Sequence, residues 1–187
     1  MASMIFMAGI PGVGKSTISA RLAKELRAQI VHIDDFKRDV VDPAKMGNEI
    51  DPIEVRRLYY NKALEYAFGE FKKGAGVLIV EEVFHLAALR DEMRLACESE
   101  KVTALWVEVT CHYDIVKQRL QSNARSGHLL STDEALGLHM LFAANFERFS
   151  PGDDHVQFDN GTADVESEIQ RVSNYLRIRL PDYGAAP

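Results

Sequence analysis

The residues best suited to chemistry lie together in residues 9–17, which read GIPGVGKST. This stretch fits the pattern G-x-x-x-x-G-K-[ST], in which glycines let the backbone turn tightly so that successive N–H groups face an anionic phosphate. In such a loop the ammonium group of Lys15 reaches the β- and γ-phosphates of a nucleotide, and the hydroxyl of Ser16 binds Mg²⁺. We therefore expect the phosphates to be bound by residues of this loop: Gly9, Pro11, Gly12, Val13, Gly14, Lys15, Ser16 and Thr17.

Two pairs of adjacent carboxylates, Asp34 with Asp35 and Glu81 with Glu82, each follow a short apolar run. Phosphoryl transfer requires a cation that clamps the phosphates, a ligand for Mg²⁺ and a carboxylate that orients the attacking hydroxyl. We expect one of the aspartates to orient that hydroxyl, and Glu81, or alternatively Glu82, to support Mg²⁺ together with Ser16. Purely structural readings stay open, because the aspartates could form a turn and the glutamates could end a strand in solvent.

The elements around the glycine loop occur in the order that a phosphate site requires. Residues 4–8 form an apolar run typical of a buried parallel strand. Residues 17–28 place Ile18, Leu22 and Leu26 at helical spacing. The order of strand, glycine loop and helix favours a phosphate site over a glycine turn that only packs.

Short apolar runs alternate with amphipathic stretches along the rest of the chain. This alternation predicts an α/β fold whose parallel sheet is covered by helices on both faces, with ligands at the carboxyl ends of the strands. We predict five strands, at residues 4–8, 29–33, 77–80, 104–109 and 155–158. We predict helices at residues 17–28, 52–73, 85–98, 112–123, 131–149 and 164–180.

Two helix starts are marked by their capping residues. Asp51 precedes Pro52, with Glu54 two residues further on, which predicts that Asp51 caps a helix whose first residue is Pro52. Ser131 with Glu134 predicts a capping box. The helix from Ser131 carries a stripe of apolar residues at helical spacing, which we predict to belong to the core: Leu138, Leu141, Phe142 and Phe146.

Composition narrows the class of protein. With 187 residues, 47% hydrophobic and 27% charged, the chain fits one domain, predicted at residues 1–180 and followed by a loose tail at 181–187. The net charge of −6 disfavours a nucleic-acid partner.

Cys97 and Cys111 lack CxxC spacing and are predicted to be reduced, and the histidines lack the spacing of a zinc site. No apolar run is long enough to span a bilayer, so we expect a cytoplasmic protein without a membrane partner.

Taken together, these residues resemble the small P-loop kinases of the AAA-type predicted-kinase family, which includes the kinase domain of polynucleotide 5′-kinases. Zeta-toxin kinases and chloramphenicol phosphotransferases are similar at a greater distance. The resemblance rests on the glycine loop, the acid after the second strand and the basic helix after the fourth strand. It implies a P-loop NTPase three-layer sandwich, nucleoside-kinase-like, with a five-stranded parallel sheet, a short lid, and ATP and Mg²⁺ as cofactors.

The resemblance also implies roles for individual residues. In these families an Asp after the second strand activates the acceptor hydroxyl within the frame D-x-[aromatic or apolar]-[RK]. Asp34 and Lys37 fit this frame, while Asp35 and Arg38 share the spacing but place Lys37 at the apolar position, so Asp34 is favoured as the base. Lys37 and Arg38 are the matching candidates for acceptor binding. Three further positions match the family: Arg119 and Arg125 in the lid, with the helix end in solvent as the alternative for both, and Asn160 in a loop that contacts adenine.

The predicted activity is transfer of the γ-phosphate of ATP to a hydroxyl of a small molecule or nucleotide. The acceptor is expected to lie against residues 36–51 and the helix from Pro52, where four side chains either contact it or face solvent: Arg56, Arg57, Tyr59 and Tyr60. A polynucleotide 5′-hydroxyl kinase and a regulatory ATPase remain as alternatives. A GTPase is disfavoured, because neither N-K-x-D nor a D-x-x-G after the third strand is present.

Overall fold

The computed structural model of the chain describes residues 2–42, 49–122, 131–150 and 153–180. Five strands form one sheet: β1 (Ser3–Ala8), β2 (Gln29–His32), β3 (Val77–Glu81), β4 (Thr103–Thr110) and β5 (His155–Asp159). Seven helices lie in the described part of the chain: α1 (Lys15–Leu26), α2 (Ile33–Lys37), α3 (Ile53–Lys72), α4 (Ala87–Ser99), α5 (Tyr113–Ser122), α6 (Thr132–Asn145) and α7 (Val165–Arg179). The predicted tail at 181–187 and the predicted lid segment at 123–130 lie outside the described residues.

The sheet has the order β2-β3-β1-β4-β5, and every neighbouring pair is parallel. This confirms the predicted five-stranded parallel sheet of an α/β fold. β1 lies at the centre, and the strand order reverses on either side of it. In open parallel sheets, ligands bind in the crevice outside the carboxyl ends of the strands at such a reversal. The glycine loop leaves β1 at this point.

Two apolar cores cover the two faces of the sheet. Alternate residues of β1 point to opposite faces, so Phe6 joins one core and Ile5 the other. The first core packs β1, β3 and β4 against α3 and α4, with Trp106 at its centre. The second packs the sheet against α1, α5 and α7. The three-layer sandwich therefore holds the carboxyl edge of the sheet rigidly from both sides.

The start of α3 differs from its prediction. Pro52 takes the N-cap position and no side chain caps the helix, so Asp51 is not the cap. The Asp51 carboxylate instead pairs with the ammonium group of Lys37 at 2.6 Å and accepts a hydrogen bond from the Tyr59 hydroxyl at 3.2 Å. Asp51 therefore forms an ion pair with Lys37 instead of capping the first turn of α3.

The region after β2 is more helical than predicted. Ile33 was assigned to the strand, but β2 ends at His32 and residues from Ile33 to Lys37 form the short helix α2. Asp34 and Asp35 both lie in the first turn of α2.

The prediction that the apolar stripe of α6 belongs to the core is wrong for three of its four residues. Phe142 is buried, whereas Leu141 is exposed and Leu138 and Phe146 are only half-buried. The capping box of Ser131 and Glu134 is confirmed, so the helix begins where predicted. Part of the stripe lines a cavity instead of a closed core, at Leu138 and Phe142, and the same helix contacts the glycine loop, where His139 Nδ1 lies 2.7 Å from the carbonyl oxygen of Pro11.

Both cysteines are free; Cys97 is buried and Cys111 is half-buried. Within the described residues, no helix is long and apolar enough to cross a membrane.

The aromatic cluster around Trp106 generates a prediction for stability. Trp106 is 1% exposed and stacks on Phe6 with ring centroids 4.5 Å apart. Trp106→Ala is expected to lower the free energy of unfolding by about 3–5 kcal/mol, because it removes a large buried side chain and leaves a cavity. Chemical denaturation measures this loss. Ile178→Ala, at a side chain that is 81% exposed, is the control and should change the free energy by less than about 0.5 kcal/mol.

Candidate active site

The glycine loop between β1 and α1 has a backbone that only glycine tolerates at Gly14. This residue has φ +92°, and a Cβ built on it would lie 2.3 Å from Nδ2 of Asn160. Gly12 also has a positive φ, +87°. Since L side chains rarely adopt such angles and the space is already filled, the loop conformation is fixed by its glycines. The loop ends at the N-terminus of α1, whose unpaired N–H groups and dipole favour an anion.

Lys15 and Ser16 are the first two residues of α1. Nζ of Lys15 donates to the carbonyl oxygen of Gly9 at 2.7 Å, so the ammonium group lies within the loop. Burial lowers the pKa of Lys15, while the charges of Glu81, Glu82 and Asp34 act in the opposite direction. The lysine is thus partly desolvated and faces three carboxylates at the strand ends. A phosphate group close to it would strengthen its charged form.

Glu81 ends β3 and reaches the glycine loop. Ser16 Oγ donates to Glu81 Oε1 at 2.5 Å. Glu81 is buried, and its second oxygen, Oε2, has no hydrogen-bond partner among the described residues, its contact with His32 Nδ1 being 3.8 Å long. A hydroxyl and a carboxylate with a spare buried oxygen suit Mg²⁺, which binds one or two protein ligands and completes its shell with water and phosphate oxygens. The described residues contain no group of three or more His, Cys, Asp or Glu side chains able to hold a metal by themselves.

A pocket opens between the glycine loop, α2 and α3, with a volume of about 140 Å³. We call it the α3 pocket. Its apolar wall includes Pro11, Leu138 and Phe142. Six charged residues line the rest: Asp34, Lys37, Glu49, Asp51, Arg56 and Glu82. The structure therefore brings Asp34 and Lys37 to one site beside the loop.

Asp35 and Arg38 do not share that position. Neither lines the α3 pocket, whereas Asp34, which is exposed like Asp35, does. Sequence reasoning gave Asp34 only a slight preference over Asp35 as the base. In the structure Asp34 lines the pocket and Asp35 does not, because a one-residue step along α2 rotates the side chain away from the pocket.

Helix α3 contributes buried polar side chains to the pocket. Arg56 is 3% exposed; its Nη1 donates to Glu82 Oε1 at 3.1 Å, and its guanidinium lies over the Phe142 ring, 5.4 Å from the centroid. Tyr59 also lines the pocket, and Tyr60 is buried in the core. Arg57 instead points away and pairs with Glu92. Of the four side chains that sequence reasoning left between acceptor contact and solvent, Arg56 and Tyr59 line the pocket.

Glu82 is a pocket residue that sequence reasoning considered only as a magnesium ligand. Its backbone N–H donates to the carbonyl oxygen of Met7, so the hydrogen bonding between β1 and β3 continues one residue past the end of β3. Burial, and next the charge of Asp34, raise the pKa of Glu82 to about 7, although Arg56 and Lys15 oppose the shift. Glu81 therefore contacts the glycine loop, whereas Glu82 lines the α3 pocket. No sequence pattern predicts this difference between the two adjacent glutamates.

Arg119 and Asn160 support the glycine loop. Nδ2 of Asn160 donates to the carbonyl oxygen of Val13 at 2.7 Å, and the carbonyl oxygen of Asn160 accepts from Nη2 of Arg119 at 2.8 Å. The amide group predicted to contact adenine is thus engaged with the loop backbone. Arg119 lies on α5 beside the loop that follows β5. Arg125, its predicted partner in the lid, is outside the described residues.

Sequence reasoning missed His139, since it stands within an apolar stripe and belongs to no motif. The residue is buried and holds the Pro11 carbonyl from α6. A second, larger cavity of about 450 Å³ lies on the other side of Gly9 and Ile10, beside β4 and β5. None of Lys15, Ser16 or Asp34 lines it. The groups suited to phosphoryl transfer therefore converge on the glycine loop and the α3 pocket.

Comparison with known proteins gives one family and several similar structures. The family model described as AAA domain matches residues 5–134. No significant match was found among curated proteins.

A sugar kinase from Janibacter sp. HTCC2649 is 19% identical with a TM-score of 0.73, over 100% of this chain and 99% of that chain. The APS kinase of Mycobacterium tuberculosis, solved with AMPPNP and APS, is 16% identical with a TM-score of 0.65, over 94% and 97%. A gluconokinase from Sinorhizobium meliloti is 15% identical with a TM-score of 0.55, over 95% and 97%. The chain has the fold of these P-loop kinases.

The raised pKa of Glu82 predicts a pH dependence of stability. Between pH 4.5 and 7 the folded protein holds a proton on Glu82 that the unfolded chain has released, so the free energy of unfolding should fall as the pH rises through this range. The slope is at most about 1.4 kcal/mol per pH unit. Glu82→Gln keeps an oxygen that can accept from Arg56 and removes this contribution. The measurement is the difference in unfolding free energy between wild type and variant from pH 4.5 to 8, without nucleotide or Mg²⁺.

Glu98→Gln, at an exposed carboxyl of α4, is the matched control and should leave the wild-type profile in place. Parallel stability profiles for wild type and Glu82→Gln would contradict the raised pKa.

Proposed function

Because this chain belongs to the AAA domain family and has the fold of P-loop kinases, we propose that it is an ATP- and Mg²⁺-dependent kinase that transfers the γ-phosphate to a hydroxyl of a small molecule. The observation that carries the proposal is the convergence of three groups at the carboxyl edge of the sheet. These are the ammonium of Lys15, the hydrogen-bonded pair of Ser16 and Glu81, and Asp34 in the wall of a pocket. They match the clamp, the metal ligands and the orienting carboxylate that phosphoryl transfer needs.

The glycine loop and α1 bind the nucleotide in this proposal. Backbone N–H groups of the loop and the N-terminus of α1 face the phosphates, and Lys15 neutralises charge on the β- and γ-phosphates. Ser16 and Glu81 would hold Mg²⁺, which neutralises phosphate charge when bound. Asn160 and His139 keep the loop in place through the carbonyl oxygens of Val13 and Pro11.

Asp34 is the proposed base. It orients the acceptor hydroxyl in the α3 pocket towards the γ-phosphorus and takes up its proton as the new O–P bond forms and the bond to the β-phosphate oxygen breaks. Lys37 is placed to contact the acceptor from the same pocket. Arg119 and Arg125 are proposed to cover the transition state, where arginine neutralises charge spread over the equatorial oxygens.

The test is γ-phosphate transfer from ATP with Mg²⁺ to a panel of nucleosides, sugars, amino alcohols, antibiotics and 5′-hydroxyl oligonucleotides. The wild type is expected to label at least one small molecule. Lys15→Ala should lower transfer by about 10²–10³-fold while the far-UV spectrum and melting temperature stay close to wild type, because the side chain lies in the loop and not in the core. Lys24→Ala, an exposed lysine of the same helix, is the control and should retain activity.

Labelling of the oligonucleotides alone would replace this proposal with a polynucleotide 5′-hydroxyl kinase. Hydrolysis of ATP without transfer to any panel member would replace it with an ATPase.

The two aspartates of α2 provide a separate prediction. Asp34→Asn should lower kcat by on the order of 10²-fold, since the variant removes the proton acceptor but keeps the shape of the side chain. Asp35→Asn is the matched control one residue away, outside the α3 pocket, and should stay within about threefold of wild type. Steady-state transfer rates with saturating ATP decide between them. Equal, mild effects would remove both residues as the base.

A further inference from the structure

The α3 pocket has an excess of negative charge. Four carboxylates line it: Asp34, Glu49, Asp51 and Glu82. Only two cationic side chains, Lys37 and Arg56, line it among the residues that the structure describes. The formal charge of the described wall is therefore negative before any ligand binds.

Both cations are already occupied by carboxylates of the same wall. The ammonium of Lys37 pairs with Asp51 at 2.6 Å, and the same carboxylate accepts the Tyr59 hydroxyl. The guanidinium of Arg56 pairs with Glu82 at 3.1 Å and packs over Phe142. A pocket built for an anionic acceptor would keep a guanidinium or ammonium group available for it, since such groups bind carboxylate and phosphate strongly.

The two remaining carboxylates, Asp34 and Glu49, are exposed, and Asp34 lies in the field of the Lys15 ammonium group. Neither has an ion pair or a hydrogen bond to another side chain within residues 2–42, 49–122, 131–150 and 153–180. Asp34 is the proposed base and faces the reacting hydroxyl. Glu49 lines the same pocket, so a ligand in the pocket meets a second carboxylate besides the proposed base.

The negative charge of the pocket wall favours a cationic acceptor over an anionic one. A carboxylate or phosphate on the acceptor would enter a region that holds unpaired negative charges and lies beside the phosphates of bound ATP. An ammonium group would instead be attracted by the carboxylates of Asp34 and Glu49, which are exposed and therefore accessible to a ligand. The pocket of about 140 Å³ suits a small ligand.

We propose, building on the kinase function proposed above, that the acceptor is a small alcohol that carries an ammonium group and no anionic group. Its hydroxyl faces Asp34, and its ammonium group lies in the field of Glu49. Amino sugars, aminocyclitols and amino alcohols belong to this class. The anionic nucleotide and the cationic acceptor then occupy neighbouring sites of opposite charge.

The test compares acceptors that differ only in charge. One set is glucosamine, glucose and glucuronate, and another is 3-aminopropanol, 1,3-propanediol and 3-hydroxypropionate, each assayed for ATP-dependent phosphoryl transfer alongside the wider panel. The expected order of kcat/KM within a set, and across the panel, is aminated above uncharged above anionic. An anionic or uncharged member that is used at least as well as its aminated counterpart would overturn the proposal while leaving the kinase function in place. Absence of transfer to every member of the whole panel would overturn the kinase function, and this proposal with it.

Glu49→Gln isolates the contribution of the Glu49 charge to acceptor preference. The variant removes this charge and leaves the proposed base, Asp34, in place. It should lower the ratio of kcat/KM for the aminated acceptor to that for its uncharged counterpart by about fivefold, mainly through KM. Glu65→Gln, an exposed glutamate of α3 outside the pocket, is the control and should leave the ratio unchanged. An unchanged ratio in Glu49→Gln would contradict the assignment of the ammonium group to Glu49.

Discussion

The parallel register between β1 and β3 is the constraint on which the site depends. Met7 pairs with Glu81, so the last residue of β3 lies beside the end of β1, where the glycine loop begins. This register brings the Glu81 carboxylate to the Ser16 hydroxyl, and the following residue, Glu82, to the α3 pocket. Because side chains alternate along a strand, a slip of one residue would exchange the two glutamates. The packing of apolar residues on both faces of the sheet fixes this register, and so the core determines which acid faces the glycine loop and which faces the α3 pocket.

The glycine loop is supported by side chains that come from distant parts of the chain. Asn160 holds the carbonyl of Val13 from the loop after β5, and His139 holds the carbonyl of Pro11 from α6. Gly14 allows the first of these contacts, because any Cβ at this position would collide with the Asn160 amide. Such contacts orient the backbone N–H groups before a phosphate arrives. A loop organised in advance loses less conformational freedom when it binds an anion.

The sequence predicted the parts of the structure that local patterns encode. The glycine loop, the five parallel strands and the capping box at Ser131 follow from residues close to one another in the chain. Contacts between distant residues could not be predicted in this way. Asp51 has the sequence context of a helix cap but pairs with Lys37, and the apolar residues of α6 have helical spacing but face pockets and solvent as well as the core. The separation of Asp34 from Asp35 depends on the direction of α2, which the sequence did not reveal.

The buried pair of Arg56 and Glu82 is costly when both groups are charged, because the two charges lose most of their hydration and the ion pair restores only part of it. Two apolar residues at these positions would stabilise the fold at least as well. The pair has a different effect at the boundary between the glycine loop and the α3 pocket. It places a fixed guanidinium in the pocket wall without offering it to a ligand, since Glu82 and the Phe142 ring already contact it. Negative charge on the pocket wall and positive charge in the loop then lie side by side. This polarity would favour a phosphate group at the loop over one in the pocket.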